Sequence, residues 1–143
     1  NDRPKLKYKK PLSPYFRRRN PALGFSYKFG PEWPVLCKNT SKGSVPGKYN
    51  KKGGAKYSWG GRTFQCQEFS LMYGDLVHIR SRLPHSCVPQ GYQTNDKRPY
   101  YHAVFMTKHG MIPGKASTNL SEGWYPFQNK EFSIKDKDFY IIC

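Results

Sequence analysis

The sequence predicts an all-β, disulfide-containing fold built from two antiparallel repeats. Three observations carry that prediction. Aromatic residues make up 16% of the chain, with 13 glycines, 12 prolines and few aliphatic helix formers, and this composition favours strands and turns. The four cysteines, Cys37, Cys66, Cys87 and Cys143, form an even set without a C-x-x-C pair. They read as two disulfides whose connectivity stays open. The third observation is a recurrence. "GSVPGKYNKKGGAKYSWGGRTF" (43–64) and "GMIPGKASTNLSEGWYPFQNKEF" (110–132) both carry Gly-x-φ-Pro-Gly-Lys, where φ is Val45 or Ile112. Both continue through polar residues into an aromatic strand. An apolar β-rich stretch precedes each ("WPVLCK", "YYHAVFMTK") and another follows it ("CQEFSLMY", "DFYIIC").

The elements follow in chain order. Residues 1–11 form a basic arm, with Arg3, Lys5, Lys7, Lys9 and Lys10 against only Asp2. The positive run continues into Arg17, Arg18 and Arg19, which are either solvated or candidates for contact with a polyanion. Residues 12–74 form the first repeat, with strands expected at 33–38, 56–60 and 65–73. Residues 75–143 form the second, with strands expected at 75–80, 100–107, 123–127 and 137–143. Period-two alternation shows in "FSLMYG" and "VFMTKHG". Pro46-Gly47 and Pro113-Gly114 are expected at the centres of type II turns, where Pro presets φ and Gly takes a positive φ. Lys48 and Lys115 would leave those turns at equivalent places. The two repeats together make one globular domain, since a chain of 143 residues buries roughly 70% of its unfolded surface.

Several function classes lose support. "HGMIPGKAS" is not a phosphate loop: three residues separate Gly110 from Gly114, Ala116 replaces the magnesium-binding hydroxyl, and Pro113 lacks an N–H. His78, His85, His102 and His109 are scattered, without a metalloprotease or serine-hydrolase motif. No enzyme, cofactor or metal is expected. "KRPYYHAVF" and "PYFRRRNP" interleave cations with aromatics as a nucleic-acid surface would, but core aromatics flanked by solvated charge explain them more simply. No apolar run is long enough to span a membrane. Secretion is expected from the paired cysteines and from two glycosylation sequons, at Asn39 and Asn119. The start at "NDRPKLK" reads as a mature product after signal-peptide removal, or as a chosen boundary. The formal charge of +16, from 25 basic and 9 acidic side chains, implies attraction to polyanions.

The order of these segments resembles the DM9 repeat family, which also supplies the lectin-like modules of natterin-type proteins. The two P-G-K segments and "LPHSCVPQGY" (83–92) carry the resemblance, with "SPYFRRRNPALGF" (13–25) a looser counterpart in the first copy. It spans residues 12–143. The resemblance implies two interlocked β repeats with approximate twofold symmetry, a secreted setting and metal-free binding of mannose-type glycans. It implies three ligand positions per copy: the P-G-K lysine, a G-G-x-E glutamate and an aspartate after the opening G-Y. The lysines are present as Lys48 and Lys115. The glutamate is present only as Glu131, with Thr63 in its place in the first copy. The aspartate falls on Ser26 and Gln93, with Asp96 as a displaced substitute.

A neutral sugar needs acceptors as well as donors, and lysine only donates. Lys115 with Glu131 is therefore the expected sugar site, with Trp124 or Trp59 as a stacking platform. Lys48 with Thr63 and Arg62 is expected to suit an acidic group. The expected function is lectin-like recognition of glycans or glycoprotein surfaces, with a preference for acidic ligands. The alternative is a basic structural protein of an extracellular coat, such as one at gamete or egg-envelope contact, using the fold as scaffold. A membrane-active cation ranks last, because no amphipathic helix is present. The oligomeric state is open, a homodimer included.

Overall fold

A computed structural model describes residues 22–143, apart from 86, 94–97 and 137, together with the short strand Tyr8–Lys9. The candidates Arg17, Arg18, Arg19 and Asp96 lie outside the described residues. The chain is all-β. Its strands are β1 (Tyr8–Lys9), β2 (Gly24–Ser26), β3 (Gly30–Thr40), β4 (Gly43–Asn50), β5 (Gly54–Trp59), β6 (Arg62–Gln65) and β7 (Glu68–Met72). They continue with β8 (Leu76–His78), β9 (Gly91–Gln93), β10 (Pro99–Thr107), β11 (Gly110–Ser117), β12 (Gly123–Phe127), β13 (Lys130–Ile134) and β14 (Phe139–Ile142). Among the described residues no helix is long and apolar enough to cross a membrane.

The strands close an eight-stranded barrel, running β3-β2-β11-β12-β13-β6-β5-β4 and back to β3. Closure removes exposed sheet edges. The closing contacts are exchanged between the halves. β2 pairs with β3 and also with β11, through Gly110↔Ser26 and Met111↔Phe25. β9 pairs with β10 and also with β4, through Gly43↔Gln93 and Ser44↔Tyr92. The hairpin tips meet where Lys130 stands opposite Arg62.

Pro46-Gly47 and Pro113-Gly114 are not turns. They lie buried inside β4 and β11, and neither glycine takes a positive φ. The cause is a change of partner along one strand edge. On β4 that edge pairs with β9 up to Ser44 and with β5 from Lys48 onward. Pro46 falls in the gap, where a missing N–H breaks no rung. Pro113 occupies the same gap on β11, between the β2 rung at Met111 and the β12 rung at Lys115. Glycine follows because the next strand passes too close for a side chain. A Cβ on Gly47 would lie 2.2 Å from the Lys56 carbonyl, and one on Gly114 would lie 2.1 Å from the Trp124 carbonyl. The real turns are Thr-Ser-Lys-Gly (40–43) and Thr-Lys-His-Gly (107–110). Each threonine hydroxyl donates to its turn glycine's carbonyl, at 2.7 and 3.0 Å.

Each half has its own core and its own disulfide. Cys37–Cys66 joins β3 to the start of the β7 segment, within a cluster that includes Trp33, Val35, Val45, Tyr57 and Leu71. Cys87–Cys143 closes the second half, within a cluster that includes Phe105, Ile112, Tyr125, Phe139 and Ile141. Met72, Val104 and Ile142 form a third cluster shared by the two halves.

Candidate functional site

Two lysine-centred clusters occupy the barrel, one for each P-G-K segment. Burial inside a strand, not projection from a turn, sets the chemistry of both ammonium groups.

Lys115 sits on β11 beneath three aromatic rings. Its Nζ lies 4.1 Å from the Trp59 ring centroid, 5.6 Å from Tyr100 and 5.8 Å from Trp124, within cation–π range of all three. Both indoles meet Tyr100 edge-on, at 6.0 and 6.2 Å. The ammonium donates to the Ser58 carbonyl and lies 3.2 Å from Glu131 Oε2. Oε1 of Glu131 accepts from the Gly61 N–H at 3.0 Å. Oε2 is buried, with the Lys115 ammonium as its close charged partner. These groups, with Gly60 and Arg98, line an open pocket of about 200 Å³.

The joined hairpin tips assemble this pocket. Gly60 and Gly61 both take a positive φ and turn β5 into β6. Glu131 N–H donates to the Gly61 carbonyl at 3.0 Å, and Thr63 N–H to the Asn129 carbonyl at 3.3 Å. These contacts set Trp59 of the first half over Lys115 of the second. Burial lowers the Lys115 pKa to about 8, against the opposing pull of Glu131.

Lys48 has a different partner from the expected one. Its Nζ lies 3.1 Å from Glu32 Oε2 and donates to Oε1 at 3.3 Å. Asn50 Nδ2 donates to Glu32 Oε2 at 2.7 Å, and Asn50 Oδ1 accepts from Gly53 N–H at 2.6 Å. The Phe127 and Phe29 rings stand 5.3 and 5.9 Å from the ammonium. Burial pushes the Glu32 carboxyl up and the Lys48 ammonium down, and each partner opposes the other's shift.

The expected grouping of Lys48 with Thr63 and Arg62 is therefore corrected. The Thr63 hydroxyl donates to the Lys130 carbonyl at 2.7 Å, and Arg62 is exposed at the hairpin tip. Glu32 is the residue that repeat-based reasoning missed. On β3 it stands opposite Gly24 of β2, whereas on β10 the residue opposite Gly91 of β9 is Tyr100. Each lysine thus has one carboxylate, from β3 in one case and β13 in the other. A lone acid within the apolar run "GPEWPVLC" was the available signal.

The remaining candidates are dispersed. Asn39 and Asn119 are exposed. Asn39 Nδ2 donates to Glu68 at 2.9 Å, whereas Asn119 Oδ1 accepts from Ser117 and Ser121. His102 is buried, which lowers its pKa to about 3. His78 lies 2.8 Å from Asp138, and His109 stacks on Phe127 at 3.8 Å. Among the described residues no three His, Cys, Asp or Glu side chains converge on a common point. No family model matches this chain and neither does any curated protein, so the functional reading stands on the site's own geometry.

Proposed function

We propose that the chain is a secreted, non-enzymatic, lectin-like recognition protein that binds glycans or glycoprotein surfaces in the Lys115 pocket, with a preference for acidic ligands. One observation carries this reading. An open pocket combines two indoles and a tyrosine with a paired ammonium and carboxylate, Lys115 and Glu131. Indole faces suit the C–H faces of a sugar ring, and the ammonium–carboxylate pair suits neighbouring hydroxyls. The Lys115–Glu131 pair is neutral as a unit, so the acid preference rests on Arg98 at the pocket and the +16 charge. We read the halves as divergent DM9-like repeats related by an approximate twofold. The exchanged β2–β11 and β9–β4 pairings and the Arg62↔Lys130 rung support that reading.

A glycan array at two salt concentrations tests the function. Retention of sialylated or sulfated glycans, weakening as salt rises, is expected. Strong, salt-insensitive mannose binding would sink the acid preference, and no retained glycan at low salt would sink the lectin reading. The mutual neutralisation of Lys115 and Glu131 favours a second reading, in which the pair is structural and the protein belongs to an extracellular coat. Lys115→Ala combined with Glu131→Ala, compared with deletion of residues 1–20, separates the two readings. Target binding that survives the first change and is lost with the second would place the function in the arm.

A further inference from the structure

A second pocket, of about 300 Å³, is lined by Phe29, Gly30, Pro31, Trp33, Lys51 and Lys52. None of these residues lines the Lys115 pocket. Its walls are apolar, and its charged lining consists of two exposed ammonium groups. Lys28, outside the lining, has its Nζ 5.5 Å from the Phe29 ring centroid.

Both rims are pinned. Lys51 and Lys52 lie in the turn after β4, where Gly53 N–H donates to Asn50 Oδ1 at 2.6 Å. Asn50 is in turn held by Glu32 at 2.7 Å, and Glu32 by Lys48. Across the pocket, Ser26 Oγ accepts from the N–H groups of Lys28 and Phe29, at 3.2 and 3.1 Å. The buried Lys48–Glu32–Asn50 network thereby anchors the turn that carries the rim lysines, and this preorganisation lowers the cost of binding.

The lining selects its ligand by what it lacks. Among the described residues no carboxylate or amide side chain lines the pocket. A neutral sugar would bring hydroxyl protons and find no side-chain carboxylate to accept them. A complementary ligand brings its own acceptors, negative charge and an apolar body. We infer that this pocket takes an aryl anion, a flat apolar ring bearing a sulfate or phosphate ester, as presented by a sulfated or phosphorylated tyrosine side chain. The inference does not rest on the sugar reading.

Titration of the full chain with phenyl sulfate and phenyl phosphate, read on the three indole N–H signals by NMR, tests it. The Trp33 signal is expected to shift and saturate while those of Trp59 and Trp124 stay in place. Inorganic sulfate and phenol should each bind at least about tenfold more weakly than phenyl sulfate, since each supplies only half of the match. Lys51→Ala with Lys52→Ala, both exposed positions, should weaken phenyl sulfate roughly tenfold, as expected for two surface charge contacts. Inorganic sulfate binding as tightly as phenyl sulfate would reduce the site to a counterion patch and overturn the inference. So would unchanged affinity in the double variant, or displacement of phenyl sulfate from Trp33 by a sialylated trisaccharide. Sulfotyrosine and phosphotyrosine peptides distinguish the two esters. Either binding better than its unmodified counterpart supports the inference, and neither doing so overturns it.

Discussion

Replacing Lys115 by methionine should flatten the pH dependence of stability between pH 7 and 10 with little net change in stability at neutral pH. Burial lowers the ammonium pKa from 10.5 to about 8. At ~1.4 kcal/mol for each tenfold in proton affinity, the charged lysine penalises the folded state by about 3 kcal/mol at pH 7. Between pH 8 and 10.5 the unfolded chain holds this proton and the folded chain has released it. Stability from this residue therefore rises with pH, and most of the 3 kcal/mol is recovered by pH 10. Methionine fills similar space and removes the penalty. It leaves Glu131, whose side chain is only 9% exposed, with its Gly61 N–H bond but without its cation, so the gain is offset by the unpaired carboxylate. The net change at pH 7 should lie within about 2 kcal/mol of zero, the recovered desolvation being offset by the carboxylate left without its cation. Denaturant unfolding at pH 7, 8, 9 and 10, read as parent minus variant, cancels titrations common to both. An identical pH slope in both proteins would refute the reasoning. So would a loss of more than about 3 kcal/mol at pH 7, the mark of a pair whose attraction exceeds its desolvation cost.

Three further outcomes follow. Gly114→Ala should destabilise by about 3 kcal/mol or more, because its Cβ meets the Trp124 carbonyl. Gly60→Ala, with a positive φ but open space around it, should cost only about 1 kcal/mol; thermal unfolding compares the two. Removing Cys37–Cys66 or Cys87–Cys143 by paired Ser substitution should each cost about 4 kcal/mol. The loop-closure model makes the second loss slightly larger, because its separation is 56 residues against 29, and denaturant midpoints check the order. Trp124→Ala should weaken glycan binding about tenfold while changing the unfolding midpoint little, since this indole is half-buried at the pocket; calorimetric titration and melting separate the two effects.

The fold was legible where side chains dominate and illegible where backbone geometry does. Expected strands 33–38, 100–107 and 123–127 fall within or on β3, β10 and β12, because aromatic and β-branched runs mark buried strands. β4 and β11 escaped, because Pro-Gly is a turn signal unless a strand changes partner at that point and another passes close by. Only tertiary structure states either condition. β6 and β13 escaped because they are short and largely polar or exposed. The Lys115–Glu131 pair was legible from the repeat, since both residues belong to one copy. The Lys48–Glu32 pair was not, because its carboxylate comes from a strand that the repeat motif does not mark.

The three tryptophans offer the most direct test of the central claim, since two line the Lys115 pocket and one does not. Titrating a sialylated trisaccharide into the protein and following the indole N–H signals locates the ligand. The account predicts saturable shifts of Trp59 and Trp124 with Trp33 unmoved, and their loss in Glu131→Gln. Shifts confined to Trp33, or shifts of Trp59 and Trp124 that persist unchanged in Glu131→Gln, would contradict it.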